Sequence, residues 1–208
     1  MSAAFQPVAM ASATGLVPDK GEAMTVMIER EIKLQFSSPA EARGAIIKAG
    51  ATPIRGRRLQ EDCLLDSDDE QLHRRRCVLR VRIEPGKSLL TFKGPVQPAA
   101  MKVREEIETV AGDGETLLHL FEELGLHVWF RYQKYREEFG WSDVIVALDE
   151  TPIGTFVEVE GGEEAIMDMA KALGRGPADY IIDSYRTLFW RHLEQHNLPP
   201  SDMLFDEA

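Results

Sequence analysis

Met27-Ile28-Glu29-Arg30-Glu31-Ile32-Lys33-Leu34-Gln35-Phe36 is the stretch from which the fold can be read. Ile28, Ile32, Leu34 and Phe36 fall on one side of an extended chain, with Arg30 among them. Glu29, Glu31, Lys33 and Gln35 fall on the other. Alternation with a period of two predicts a strand with one apolar and one charged face. The charged face is unusual, because it sets two carboxylates and an ammonium in strict i, i+2 register, about 6.8 Å apart along the strand.

The pattern recurs downstream. Val78–Ile83 puts Leu79, Val81 and Ile83 opposite Arg80 and Arg82, and Leu89–Lys93 puts Leu90 and Phe92 opposite Thr91 and Lys93. Lys102–Thr109 gathers Lys102, Arg104, Glu106 and Glu108 on one side. Phe130–Glu138 carries Lys134 and Arg136 in step, Val144–Asp149 ends in Asp149, and Phe156–Glu160 sets Glu158 and Glu160 opposite Val157 and Val159. Gly86, Gly94-Pro95, Gly140 and Gly154 supply breaks between several of these runs.

Helical signals are fewer. Ser38-Pro39 opens a helix that Gly50 closes, and further helices are predicted over about 115–124, 163–173 and 178–195. Short helices beside many strands predict an α+β fold with the helices packed outside a sheet. Residues 1–25 mix Ala, Ser, Gly and Pro without a period and read as a disordered leader, with Met24 or Met27 as alternative starts of the ordered domain. One domain is expected over 26–195, followed by a Pro-broken, acidic and disordered tail over 196–208.

Composition narrows the function. The 208 residues carry 24 Lys and Arg against 35 Asp and Glu, a formal net charge of −11. That balance argues against a nucleic-acid polymer as partner unless the cations are gathered in one place. No apolar run approaches the roughly 18 residues of a membrane span, and no secretory signal is readable. Two cysteines, Cys63 and Cys77, are too few for a disulfide scaffold or a four-ligand zinc site and read as packing residues. A cytoplasmic monomer or homodimer is expected.

The charged faces carry the chemistry. If the sides bearing Glu29/Glu31, Glu106/Glu108, Glu158/Glu160, Arg80/Arg82 and Lys134/Arg136 converge, they enclose a cavity holding both signs of charge. Grouped carboxylates repel unless a cation sits among them. Mg²⁺ or Mn²⁺ takes oxygen ligands, often carboxylates together with phosphate oxygens. Arg and Lys on neighbouring strands would grip the remaining phosphate oxygens. Opposed acidic and basic walls therefore point to a metal-bound short polyphosphate. Solvated strand faces cross-paired by weak salt bridges are the bland alternative for any single pair.

These residues resemble the CYTH superfamily, also called triphosphate tunnel metalloenzymes. Glu29-Arg30-Glu31-Ile32-Lys33 is similar to its E-x-E-x-K signature. The likeness runs in order through Leu79–Arg82, Leu90–Pro95, Arg104–Glu108, Lys134–Arg136, Leu148–Glu150, Gly154–Glu160 and Ser184-Tyr185. The resemblance implies a closed antiparallel β-barrel of about eight strands forming a tunnel. It implies Glu29, Glu31, Glu158 and Glu160 as metal ligands, with Asp149 and Glu108 as further candidates. Lys33, Arg80, Arg82, Lys93, Arg104, Lys134 and Arg136 would line the triphosphate site, and Glu29, Glu31, Lys33, Lys93 and Asp149 would serve catalysis. Two departures are visible: Leu64-Leu65 stands where the family often has an aromatic pair, and the C-terminal helix lacks a matching lysine, with Arg186 as a stand-in.

The implied activity is a Mg²⁺- or Mn²⁺-dependent triphosphatase acting on tripolyphosphate or an organic triphosphate such as a thiamine or nucleoside triphosphate. The alternatives are a class IV adenylate cyclase and a non-catalytic polyphosphate-binding module. His73, in a basic turn with Arg74, Arg75 and Arg76, reads as a solvated loop residue. Trp129, Trp141 and Trp190 read as core or barrel-wall residues.

Overall fold

The computed structural model describes residues 27–206. The expected leader therefore lies outside the described residues. Eight strands form a closed antiparallel barrel: β1 (Met27–Phe36), β2 (Thr52–Asp66), β3 (Val78–Glu84), β4 (Lys87–Lys93), β5 (Lys102–Ala111), β6 (His127–Trp141), β7 (Val144–Thr151) and β8 (Gly154–Gly161). Their order around the barrel is β1-β5-β4-β3-β2-β6-β7-β8, closing back onto β1. Helices α1 (Pro39–Lys48), α2 (Gln71–Arg74), α3 (Gly114–Glu123), α4 (Glu163–Ala172) and α5 (Tyr185–His196) punctuate the strands. None of them is long and apolar enough to cross a membrane.

Two of the three apolar clusters lie outside the barrel. Ile32, Leu34, Val146, Leu148, Val157 and Val159 point outward into one layer, against Ala42 and Ile46 of α1 and Ile166, Met169 and Ala170 of α4. A second cluster packs Cys63, Leu65 and Val81 against Leu118 of α3, whereas the third joins the inward-facing Phe130, Tyr132 and Phe156 at one end of the barrel to Tyr185, Phe189 and Leu193 of α5. Because strand side chains alternate, burying one parity outside commits the other to the interior. Apart from the aromatic residues at the α5 end, the interior parity is the charged one. Local signals place the helices over these layers: the Ser38 side chain accepts from the Glu41 N–H at 3.2 Å with Pro39 in the first turn, and Gly50 takes the left-handed φ of +89° after α1.

Four expectations need correction. β2 is a full strand of 15 residues that the alternation did not reveal. Its first half is irregular, with register shifts at Pro53/Arg55 and Arg55/Arg58, and its second half buries both faces, so no period-two signal survives. The helix expected over 178–195 is interrupted. Pro177–Asp179 is a 3₁₀ turn, and Ile181 exchanges two 2.9 Å backbone hydrogen bonds with Lys33 of β1. Only then does Ser184 cap α5, accepting from the Thr187 N–H at 3.2 Å.

The tail expected to be disordered is ordered through Asp206. Met203 is fully buried against the α5 cluster and bridges Tyr132, while Phe205 packs on Tyr135 with ring centroids 5.1 Å apart. Of the tryptophans, Trp141 donates to the Ala49 carbonyl at 3.0 Å, as suits a packed residue. Trp129 and Trp190 are instead exposed, at 39% and 44%.

Candidate functional site

The inward faces of all eight strands enclose a cavity of about 1260 Å³. Glu29, Glu31, Lys33, Arg80, Arg82, Lys93, Arg104, Glu108, Lys134, Arg136, Glu158 and Glu160 all line it. The parity read from the sequence is thus the parity that faces the lumen. Asp149 is the exception among the candidate residues. It is fully buried behind the lining, accepting from Lys134 Nζ at 2.9 Å, Arg136 Nε at 2.7 Å and the Tyr185 hydroxyl at 2.7 Å. Its oxygens are occupied by basic and phenolic donors, so its structural place is to aim Lys134 and Arg136.

Backbone register explains how the charges meet. Glu31 of β1 is directly opposite Lys102 of β5 on one side and Glu160 of β8 on the other. Glu29 is opposite Arg104, Lys33 opposite Glu158, and Lys93 opposite Glu106. Lys93 Nζ donates to Glu29 at 2.6 Å and Glu106 at 2.7 Å, and Arg104 Nε donates to Glu29 at 2.8 Å. Lys33 lies 2.9 Å from Glu31 and 3.2 Å from Glu158, and Lys102 also pairs with Glu31. Arg136 pairs with Glu158 as well as Asp149. Glu108 sits at a more open position, accepting from Thr91 Oγ1 at 2.8 Å.

Several lining residues escaped the sequence assignment. Lys102 and Glu106 share the face of Arg104 and Glu108, and that shared parity was a sufficient signal. Gln60, which lines the cavity, and Asp62, which lies behind the lining, went unassigned together with β2. Asp62 is fully buried and takes Arg82 Nε at 2.8 Å and Nη2 at 3.2 Å. At the β3–β4 hairpin end, Glu84 gathers Arg55, Arg58 and Lys87, each 3.4 Å away or closer.

The lumen is electrostatically unsatisfied in both senses. Burial opposes charge on Glu29, but Lys93 and Arg104 outweigh it and the repulsion from Glu31, holding the carboxyl down at about 2. Glu31 and Glu158 also stay well below the ordinary range: burial is overcome at Glu31 by Lys102 and Lys33, and at Glu158 by Lys134 and Lys33. Glu160 behaves oppositely. It is exposed near the end of β8 and makes no ion pair with a described residue, and crowding by the barrel wall together with the charges of Glu29 and Glu31 raises its carboxyl above the ordinary range. Glu106 is raised too, by burial and by Glu29, despite Lys93. On the basic side, burial pushes Lys102 and Lys134 down to about 8, with Lys33 and Arg104 adding repulsion at the former and Arg136 at the latter.

As placed, no three acidic, histidine or cysteine side chains among the described residues converge as a metal cage, because basic side chains hold most of the carboxylates. The donor chemistry nevertheless fits an oxygen-preferring cation: Glu31 and Glu160 are cross-strand neighbours, Glu29 is two residues from Glu31, and Glu160 has no counter-ion. Like charges directly opposite in a sheet are destabilising, and a cation between them would remove that repulsion.

Both the sequence and the fold match known proteins. A family model described as CYTH domain matches residues 27–179. A Methanocaldococcus jannaschii protein carrying the name "Putative adenylate cyclase" is 30% identical over 173 residues, which cover 78% of this chain and 98% of that protein. A Vibrio parahaemolyticus structure, described as "a putative adenylate cyclase", superposes with a TM-score of 0.69 at 18% identity, covering 80% of this chain and 99% of that one. A Hippeastrum structure, described as an adenylyl cyclase candidate with a dominant triphosphatase activity, superposes with a TM-score of 0.61 at 18% identity, covering 79% and 96%. At those identities the two structural likenesses bear on the fold alone.

Proposed function

Because the chain belongs to the CYTH family, we propose that it is a divalent-metal-dependent triphosphatase that takes tripolyphosphate or an organic triphosphate into the barrel. The observation that carries the reading is the pairing of Glu31 with Glu160 on one side and Lys102 on the other, within a lumen lined by further carboxylates and by many Lys and Arg side chains. A metal-bound triphosphate supplies both missing partners at once: positive charge for the glutamates and negative charge for the buried cations.

Glu29, Glu31, Glu158 and Glu160 would hold Mg²⁺ or Mn²⁺, with Glu106 and Glu108 on the adjacent strand within the same acidic set. When bound, such an ion withdraws charge from phosphate oxygens as a Lewis acid. The chain's own residues do the rest. Lys33, Lys93, Arg104, Arg80, Arg82, Lys134 and Arg136 grip the non-bridging oxygens, and the planar guanidinium groups do so bidentately. Asp149 holds Lys134 and Arg136 in position, so it acts through them. Tyr185 closes over this wall, with Lys134 Nζ 4.9 Å and Lys33 Nζ 5.3 Å from its ring centroid. Water attacks the terminal phosphorus, and the electrons of the cleaved P–O bond pass to the leaving phosphate oxygen. Preorganised cations neutralise the charge developing there.

A second reading is supported by the name of the M. jannaschii relative. In a class IV adenylate cyclase the 3′-oxygen of ATP would attack the α-phosphorus and pyrophosphate would leave. Product identification separates the two. Purified protein with Mg²⁺ or Mn²⁺ should release orthophosphate from tripolyphosphate and form no cyclic AMP from ATP. Cyclic AMP with stoichiometric pyrophosphate would establish the cyclase instead. Glu31→Gln should lose at least about 100-fold in turnover, since even groups that merely support metal ligands are worth 10–100-fold. Full activity of that variant in saturating Mg²⁺ would refute the ligand assignment.

A further inference from the structure

At the end of the barrel where β2 stops and β3 begins, the cavity is bordered by an exposed aromatic and a group of cations that the triphosphate reading does not use. Leu64 pairs with Phe130 and Leu65 with Val128, so Trp129 is the extra residue of a bulge in β6. Bulges re-aim side chains, often beside functional sites. Here the bulge presents Trp129, 39% exposed, to the same cavity that holds Lys33, Lys134 and Arg80. His73 stands beside the indole with ring centroids 6.2 Å apart, and the Arg186 guanidinium lies 4.8 Å from its centroid.

The charge around this platform is selective. Arg74, Arg76 and Arg186 line the cavity and make no ion pair with a described residue. Arg76 is held at a left-handed φ of +57°, a strained conformation for a side-chain-bearing residue. Of the acids nearby, Asp68 is exposed and lies 3.5 Å from His127, and the others have partners. Asp66 accepts the backbone N–H groups of Ser67, Leu72 and His73, Glu70 lies 3.6 Å from His73, and Asp183 pairs with Arg191 at 2.6 Å. An exposed indole flanked by uncompensated arginines favours a neutral, electron-rich aromatic ring attached to an anionic chain and disfavours a cationic ring.

We propose that Trp129, with His73 and Arg186, forms a base-stacking subsite that makes the substrate a nucleoside triphosphate, its triphosphate running into the tunnel from this end. The inference rests on the triphosphate reading for the direction of the chain, while the subsite itself stands on the platform geometry. It disfavours thiamine triphosphate, whose thiazolium is cationic, and it gives tripolyphosphate nothing to place on the indole.

The test is equilibrium binding by calorimetry in EDTA, where turnover does not interfere. The ligands are ATP, thiamine triphosphate and tripolyphosphate, and the proteins are the wild type, Trp129→Leu and Trp129→Phe. A base–aromatic stack predicts about tenfold weaker ATP binding in Trp129→Leu. Tripolyphosphate affinity should be unchanged, which also shows that the variant is folded, and Trp129→Phe should retain most of the ATP affinity. Thiamine triphosphate should bind the wild type at least about tenfold more weakly than ATP. An unchanged ratio of ATP to tripolyphosphate affinity in Trp129→Leu would overturn the subsite, as would an equal loss for both ligands. Thiamine triphosphate binding as tightly as ATP would overturn the nucleoside assignment. A shifted ratio in a protein that turns over no triphosphate would uphold the subsite and sink the proposed reaction.

Discussion

Asp62→Asn tests whether the tunnel cations are restrained for a polyanion. Asp62 is fully buried and takes both forks of Arg82, at 2.8 and 3.2 Å, while Arg80 Nε stands 3.3 Å away. Burial works against its charge, yet Arg82 and Arg80 hold its carboxyl at about 2, below the ordinary 3.8. That difference alone is worth about 2 kcal/mol at neutral pH. Removing one member of a buried charge cluster typically costs about 3–5 kcal/mol, because the remaining cations are stranded. The amide keeps the shape and removes the charge, so the variant should lose about 2–5 kcal/mol. For a domain of this size, that lowers Tm by roughly 5–15 °C.

The same change frees Arg80 and Arg82 to face phosphate. Saturating tripolyphosphate, measured in EDTA by thermal unfolding, should therefore raise Tm of the variant by more than it raises the wild type. A ligand at about 100 times its Kd stabilises by about 2.7 kcal/mol, so the extra shift lies within reach of the assay. An unchanged Tm without ligand would show that Asp62 does not restrain the two arginines. A ligand response no larger than that of the wild type would refute their role as phosphate groups.

Other outcomes follow from the packing and the titration of buried groups. Met203→Ala should cost about 2–5 kcal/mol in denaturant unfolding, since Met203 is fully buried beneath the last segment; a loss under 0.5 kcal/mol would show that this segment is not docked. Asp62 and Glu84 are both held at about 2 in the folded chain, against ordinary values of 3.8 and 4.5. Depressed carboxyls contribute stability that is present above their unfolded values and lost as pH falls through the folded ones. Denaturant midpoints should therefore drop between about pH 4.5 and 2, with a shallower slope in Asp62→Asn. Cys63 is fully buried, and burial pushes its thiol up to about 12, so it should resist a thiol reagent at pH 8 until the protein unfolds.

What the sequence made legible was whatever alternates. Glu29-x-Glu31-x-Lys33, Arg80-x-Arg82 and Glu158-x-Glu160 were readable because the outward residues between them are apolar, so each strand declared both its existence and its lumen face. β2 stayed hidden because Pro53 and Gly56 interrupt its start, while Cys63, Leu64 and Leu65 are all buried and mask the inward parity of Gln60 and Asp62. Asp149 has the inward parity but not the expected place: Lys134, Arg136 and Tyr185 surround it, and those contacts come from two other elements. The Trp129 platform depends on one unpaired residue in β6, which no periodicity records. The last segment reads as a tail because Pro199 and Pro200 break it, although one buried methionine and one aromatic contact suffice to dock it.

Under the proposed function, the arrangement of charge favours a metal–triphosphate complex over a single ion. Folding is driven by the apolar layers outside the strands, where Ile32, Leu34, Val157 and Val159 meet α1 and α4. The internal ion pairs contribute little net stability once their desolvation is counted. With both signs alternating around the lumen, the pairs could in principle satisfy one another, and most do. Glu160, exposed and without an ion pair to a described residue, is raised, whereas Lys134 is pushed down to about 8 by burial and by Arg136 although it contacts Asp149. A cation alone would relieve Glu160 and leave Lys134 beside Arg136 unrelieved; a polyanion alone would relieve Lys134 and add repulsion at Glu160. Only a ligand carrying both charges relieves both, so metal and triphosphate should each bind more tightly in the presence of the other, and by the same factor.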